Sequence, residues 1–106
     1  MRRDVFQAIA DPTRREILGM LAQNNMNLNA VASKFEISRP AISKHVKILT
    51  ECGLIEMKQM GRERICQAKL EPLVEVADWV AQYKRFWEDQ FDSLEQYLKD
   101  LQDQNE

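Results

Sequence analysis

Apolar residues recur at the helical period along most of the chain, and at the strand period in one stretch only. Residues 3–9 place Val5, Phe6 and Ile9 on one helical face. Asp11-Pro12-Thr13-Arg14 then restarts the chain: Asp11 suits an N-cap, and Pro12 suits the first helical position, where a missing N–H costs nothing. The helix that follows runs to about Gln23, with Ile17, Leu18, Leu21 and Ala22 predicted to face inward, and Asn24-Asn25 ends it. A short helix is predicted over 28–35, with Leu28, Val31, Ala32 and Phe35 on one side. Glu36-Ile37 leads to Ser38, a good N-cap, and Pro40 falls in the first turn of a helix that continues through Leu49. Gly53 is placed to end it in the left-handed conformation.

The period then changes. Residues 54–60 and 63–68 read as two short strands around the turn Gly61-Arg62. Glu71-Pro72 opens the last element, a helix predicted over 72–103. Its apolar residues Leu73, Val76, Val80, Tyr83, Trp87, Phe91, Leu94, Leu98 and Leu101 are separated by steps of 3, 4, 3, 4, 4, 3, 4 and 3. Such a helix is nearly ~50 Å long, more than a domain of this size covers. The seam calls for a partner, and a second copy of the chain is the simplest one.

Composition narrows the picture. The 106 residues suffice for one domain, and three glycines and three prolines leave little room for an all-β fold, so helix should dominate. No apolar run approaches the ~20 residues of a membrane span, and Met1-Arg2-Arg3-Asp4 leads into no signal-peptide core, which predicts a soluble cytoplasmic protein without membrane partners. The net charge of −2 conceals an asymmetry. Residues 1–69 hold twelve Lys/Arg against seven Asp/Glu, a net +5, and residues 70–106 hold three against ten, a net −7. A basic body with an acidic tail can mark a nucleic-acid binder whose average charge hides it. Cys52 and Cys66 form no CxxC motif, and with the lone His45 they are a thin set for a zinc site. No nucleophile–base constellation, Gly-rich phosphate loop or paired-carboxylate cleft is present, which excludes an enzyme as the reading.

Two short helices joined by a tight turn and followed by a hairpin describe a winged helix-turn-helix: mainly α, with a small β-hairpin and a long C-terminal dimerisation helix. The helical wheel of 38–50 supports this. Ile42, Val46 and Leu49 cluster on one arc with Ile48 and Ala41 beside it, while Arg39, Pro40, Ser43, Lys44 and Lys47 share the opposite arc within about 140°. A helix that reads DNA needs this division: an apolar face fixing it to the body, and short polar and cationic side chains towards the groove.

Asp11-Pro12-Thr13-Arg14-Arg15-Glu16-Ile17-Leu18, the helix Ser38-Arg39-Pro40-Ala41-Ile42-Ser43-Lys44-His45-Val46-Lys47-Ile48-Leu49, and Gly53-Leu54-Ile55 resemble the ArsR/SmtB family of bacterial winged-helix repressors, over residues 4–80. The resemblance implies a homodimer that dimerises through its first and last helices, binds a pseudo-palindromic double-stranded operator and represses transcription. On this reading residues 1–106 form a single domain, with 10–70 as the DNA-binding core and 3–9 and 72–103 as dimerisation helices. Many relatives sense metals through a cysteine pair in the helix before the recognition helix. Here that helix reads Leu28-Asn29-Ala30-Val31-Ala32, without a thiol or imidazole, and residues 72–103 lack the histidine that a zinc site on the last helix needs. No metal or other cofactor is expected. The closer likeness is to members without metal ligands, some of them autorepressors; an inducer is not specified. Glu36 stands where helix-turn-helix proteins often have Gly, and a positive φ there would cost about 1 kcal/mol.

The expected DNA contacts are Ser38, Arg39, Pro40, Ser43, Lys44, His45 and Lys47 on the recognition helix, Arg62 and Arg64 on the hairpin, and Arg14. Arg39 is the best base reader, because its fork matches guanine O6 and N7, whereas Lys44 and Lys47 suit phosphates. His45 suits packing or a phosphate bond, and Arg62 and Arg64 suit a minor groove. Arg14 has an intramolecular ion pair as its alternative. The expected dimer contacts are Val5, Phe6, Ile9, Val80, Tyr83, Trp87, Phe91, Leu94 and Leu98. Two rival functions stand beside the repressor: a metal- or thiol-redox-responsive repressor switched by Cys52, Cys66 and His45, and a winged-helix module that docks protein. The basic arc over 39–47 argues against the second. The acidic last helix is expected to face away from DNA.

Overall fold

The computed structural model describes residues 4–104. They fall into two compact units, one ending at Glu75 and the other beginning at Val76. The first unit contains α1 (Val5–Ile9), α2 (Pro12–Gln23), β1 (Met26–Asn27), α3 (Leu28–Ala32), α4 (Arg39–Glu51), β2 (Ile55–Met60) and β3 (Glu63–Ala68), followed by a 3₁₀ turn at Glu71–Leu73. The long helix α5 runs from Val74 to Gln104.

Each of the first four helices opens on a side-chain cap. Asp11 accepts a hydrogen bond from the Arg14 N–H at 3.0 Å, with Pro12 at the first helical position, and Ser38 Oγ accepts one from the Ala41 N–H at 3.3 Å. Asp4 and Gln7 form a reciprocal capping box on α1. Asn27 Oδ1 accepts from the Ala30 N–H at 2.7 Å at the start of α3. The end of α4 is a Schellman closure: Gly53, at φ +78°, donates to the Thr50 carbonyl, and Leu54 donates to the Leu49 carbonyl at 2.9 Å. Leu49 and Leu54, which accompany that closure, are both fully buried.

The sheet is antiparallel in the order β1-β3-β2. Gly61 takes φ +64° at the first loop position while Arg62 keeps a negative φ, the pattern of a II′ two-residue hairpin. Strand β1 pairs Met26 with Cys66 and Asn27 with Ile65, which adds to the expected hairpin a third strand that the sequence pattern does not announce. The core of this unit joins Val5 and Ala8 of α1, Ile17, Leu18 and Leu21 of α2, and Val31 of α3 to Ile42, Val46 and Leu49 of α4 and Cys66 of β3.

Three expectations need correction. Ala22 is exposed, because it sits in the last turn of α2, past the packed face. The helix predicted over 28–35 ends at Ala32, and the chain tightens there through bonds from Lys34 to the Val31 carbonyl and from Phe35 to the Ala32 carbonyl. Glu36 carries no strain, since among the described residues only Gly53 and Gly61 have positive φ. The start of the first helix, expected at Arg3, lies outside the described residues.

Leu49 has no exposed surface and closes the core beneath α4. Leu49→Ala is expected to lower the unfolding free energy by about 2–5 kcal/mol, read as a reduced urea midpoint at unchanged slope. A loss below about 0.5 kcal/mol would show that the core does not depend on this contact.

In the second unit, α5 carries its apolar residues as a wide stripe. Val80, Tyr83, Trp87, Phe91, Leu94, Leu98 and Leu101 are 40–65% exposed, and Trp79, Phe86 and Tyr97 widen the stripe on one side. Trp79 and Tyr83 meet edge to face at 5.4 Å, as do Phe86 and Trp87 at 6.2 Å. The polar side carries the spaced pairs Lys84–Glu88 and Glu95–Lys99.

Candidate nucleic-acid interface

The division predicted for α4 is present. Ile42, Val46 and Leu49 are buried beneath the helix, while Arg39, Pro40, Lys44 and Lys47 are exposed and Ser43 is half-buried. Ser38 opens the helix as its cap, so Arg39 and Pro40 occupy the first turn.

The hairpin brings its arginines to the same surface. Arg39 of α4 and Arg62 and Arg64 of the hairpin line one cleft of about 370 Å³, together with Asn27, Asn29 and Glu63. A second groove of about 340 Å³ is lined by Ser43 and Lys47 and again by Arg64. Arg64 therefore connects the hairpin cleft to the basic side of α4. The Glu63 carboxylate accepts a bond from Asn27 Nδ2 at 3.0 Å, which holds it to β1. Asn27, which caps α3 with its other amide atom, escaped the sequence reading because β1 is only two residues long and has no period to detect.

Two expected contacts are engaged elsewhere. The Arg14 guanidinium donates from Nε to the Ala8 carbonyl at 2.6 Å and from Nη2 to the Gln7 carbonyl at 2.9 Å, and its Nη1 stands 3.3 Å from His45 Nδ1. Arg15 donates to the Ile9 carbonyl at 2.7 Å. Within α1 the Gln7 carbonyl receives the Ala10 N–H at 3.3 Å, and the two arginine side chains add donors to the Gln7, Ala8 and Ile9 carbonyls at this helix end. His45 is turned into this network: its side chain is 20% exposed, and Nδ1 lies 3.9 Å from Asp11 Oδ2. Desolvation acts to raise the Asp11 pKa, but the Arg14 N–H, the nearby His45 and Arg14 charges and the Thr13 N–H outweigh it and hold the carboxyl below its ordinary value.

Val5 is 4% exposed within the core of its own unit, so it does not offer the contact surface expected of it, whereas Phe6 and Ile9 are half-buried. The remaining expected dimer contacts, Val80, Tyr83, Trp87, Phe91, Leu94 and Leu98, all lie on the exposed stripe of α5.

Cys66 is fully buried, with Sγ 3.3 Å from Met57 Sδ, and burial pushes its thiol pKa up against the pull of Arg64. That environment makes an unreactive thiol. The half-buried Cys52 donates to the Asp4 carbonyl at 3.4 Å. Among the described residues no three His, Cys, Asp or Glu side chains gather as a metal site, and no helix is long and apolar enough to cross a membrane.

A capped helix pair, a tight turn, a basic exposed helix and an arginine-bearing hairpin define a winged helix-turn-helix. Residues 11–57 match the family described as bacterial regulatory protein, arsR family. The chain is 35% identical over 82 residues to the HTH-type transcriptional regulator Rv2034 of Mycobacterium tuberculosis, covering 77% of this chain and 74% of that one. It is 42% identical over 59 residues to the transcriptional repressor SdpR of Bacillus subtilis, covering 56% of this chain and 66% of the repressor. A crystal structure of an ArsR family transcriptional regulator, RHA00566, superposes with a TM-score of 0.68 at 37% identity, covering 78% of this chain and 86% of that one. The chain belongs to the arsR family of bacterial regulatory proteins.

Proposed function

We propose that this chain is a homodimeric, sequence-specific DNA-binding repressor that occupies a pseudo-palindromic operator. The observation that carries the reading is the convergence of Arg39, Arg62 and Arg64 on one cleft beside the half-buried Ser43 and the exposed Lys44 and Lys47 of α4. A helix fixed by an apolar face presents its cations to the major groove, and the hairpin arginines reach the adjacent backbone or minor groove. The 42% identity to the B. subtilis repressor supports the direction of regulation. Dimerisation is assigned to the α5 stripe, with Phe6 and Ile9 of α1 contributing. A two-fold dimer then reads two half-sites about one helical turn apart, ~34–36 Å.

Selection of binding sites from random duplex DNA tests this. The expected product is an imperfect inverted repeat with half-sites at that spacing; a pool that enriches no sequence overturns the reading. Lys47→Ala is expected to weaken binding to selected and unrelated duplexes by similar factors. It should also lower the slope of log K against log salt by about 0.9 for each phosphate contact removed. A slope equal to that of the wild type would show that Lys47 touches no phosphate.

A further inference from the structure

The contacts of Arg14 link three elements of the first unit. From α2 its guanidinium holds the Gln7 and Ala8 carbonyls of α1 at 2.9 and 2.6 Å, and its Nη1 lies 3.3 Å from His45 Nδ1 on α4. A guanidinium only donates, so the last contact is a hydrogen bond when Nδ1 presents its lone pair and Nε2 carries the proton. Asp11 lies beside these contacts, accepting the Arg14 backbone N–H at 3.0 Å, with Oδ2 3.9 Å from the same imidazole nitrogen. The five-residue α1 is too short to be fixed by its own hydrogen bonds, so its placement depends on the burial of Val5 and Ala8 and on the donors that α2 offers its carbonyls. The same planar fork reaches α4 between Lys44 and Lys47, where a displacement moves the DNA-facing side chains.

We propose that Arg14 is a positioning residue: through His45 it fixes the recognition helix relative to α1, and so sets the separation of the two recognition helices in the dimer rather than contacting DNA. This rests on the reading that the protein is a dimeric operator binder to which α1 contributes contacts. Three of the five guanidinium N–H groups, one each on Nε, Nη1 and Nη2, are engaged inside the unit, which holds the side chain against α1 and α4. A shift of α4 relative to α1 would instead appear as a changed preference for half-site spacing.

The test uses the full chain with the selected operator and two derivatives, one base pair longer and one shorter between half-sites, a change of ~3.4 Å in separation. Wild type is expected to discriminate between them. Arg14→Gln and His45→Phe should each reduce that discrimination by about fivefold while keeping the wild-type salt slope, and the double variant should lose no more than either single one. His45→Asn retains an acceptor near the Nδ1 position and should keep the discrimination to within about twofold. Circular dichroism checks folding. If Arg14→Gln does not fold, the contrast between His45→Phe and His45→Asn decides. A salt slope lowered by about 0.9 per half-site in Arg14→Gln would make Arg14 a phosphate ligand and overturn the proposal. Unchanged spacing preference in His45→Phe, or strict additivity in the double variant, also overturns it. Wild type that enriches no duplex overturns the repressor reading along with it, whereas wild type that binds beside variants that fail these expectations overturns this proposal alone.

Discussion

The double variant Leu94→Asp/Leu98→Asp is expected to sediment as a monomer at micromolar concentration and to lose operator affinity by about 10²–10⁴-fold. The two leucines are 53% and 56% exposed and lie about 40° apart, well within the apolar stripe of α5. A carboxylate at each would have to enter a dimer interface without a partner charge, at several kcal/mol apiece, and neither would be penalised in the monomer. The loss of DNA affinity follows from linkage. Two tethered half-site contacts act at a high effective concentration, and separated protomers bind one half-site each. The body should be unaffected, because its buried residues run from Val5 to Cys66 and include none from α5. Sedimentation velocity and the melting of the winged-helix unit read the two consequences separately. A dimer that persists with both aspartates present would place the interface elsewhere.

The sequence made faces legible far better than it made what opposes them. The wheel of α4 sorted Ile42, Val46 and Leu49 from Arg39, Lys44 and Lys47 because helical geometry fixes side-chain direction independently of the neighbour. The caps at Asp11 and Ser38, the closure at Gly53 and the Gly61 turn are local devices and were legible for the same reason. The partners of Arg14 were not legible, because a long flexible side chain beside an N-cap has no periodic signature. Its destination, the Gln7 and Ala8 carbonyls, becomes apparent only once α1 is seen to end at Ile9. His45 followed Arg14. Val5 shares a helical face with Phe6 and Ile9, and periodicity cannot say which edge of that face meets the unit's own core. Strand β1 was invisible, since two residues carry no alternation and Asn27 reads equally as a turn residue.

The charges on α4 should divide their work, and Arg39 should carry the base reading. It stands at the first helical position after the Ser38 cap, exposed, on the cleft shared with Arg62 and Arg64. Residues at the start of a recognition helix are the ones that reach base edges. Arg39→Ala is expected to weaken operator binding by about 1–3 kcal/mol, roughly 5- to 150-fold, and to flatten the preference at one base pair in each half-site. Arg39→Lys separates geometry from charge. A lysine keeps the cation but cannot span guanine O6 and N7 with two parallel donors. It should therefore retain affinity for unrelated duplexes and the wild-type salt slope, and lose the base preference nearly as fully as alanine does. Repeating the site selection with wild type, Arg39→Ala and Arg39→Lys provides the measurement, with salt titrations beside it. If both variants keep the wild-type sequence preference and alanine lowers only the salt slope, Arg39 is a phosphate contact and base reading belongs to other residues of this face.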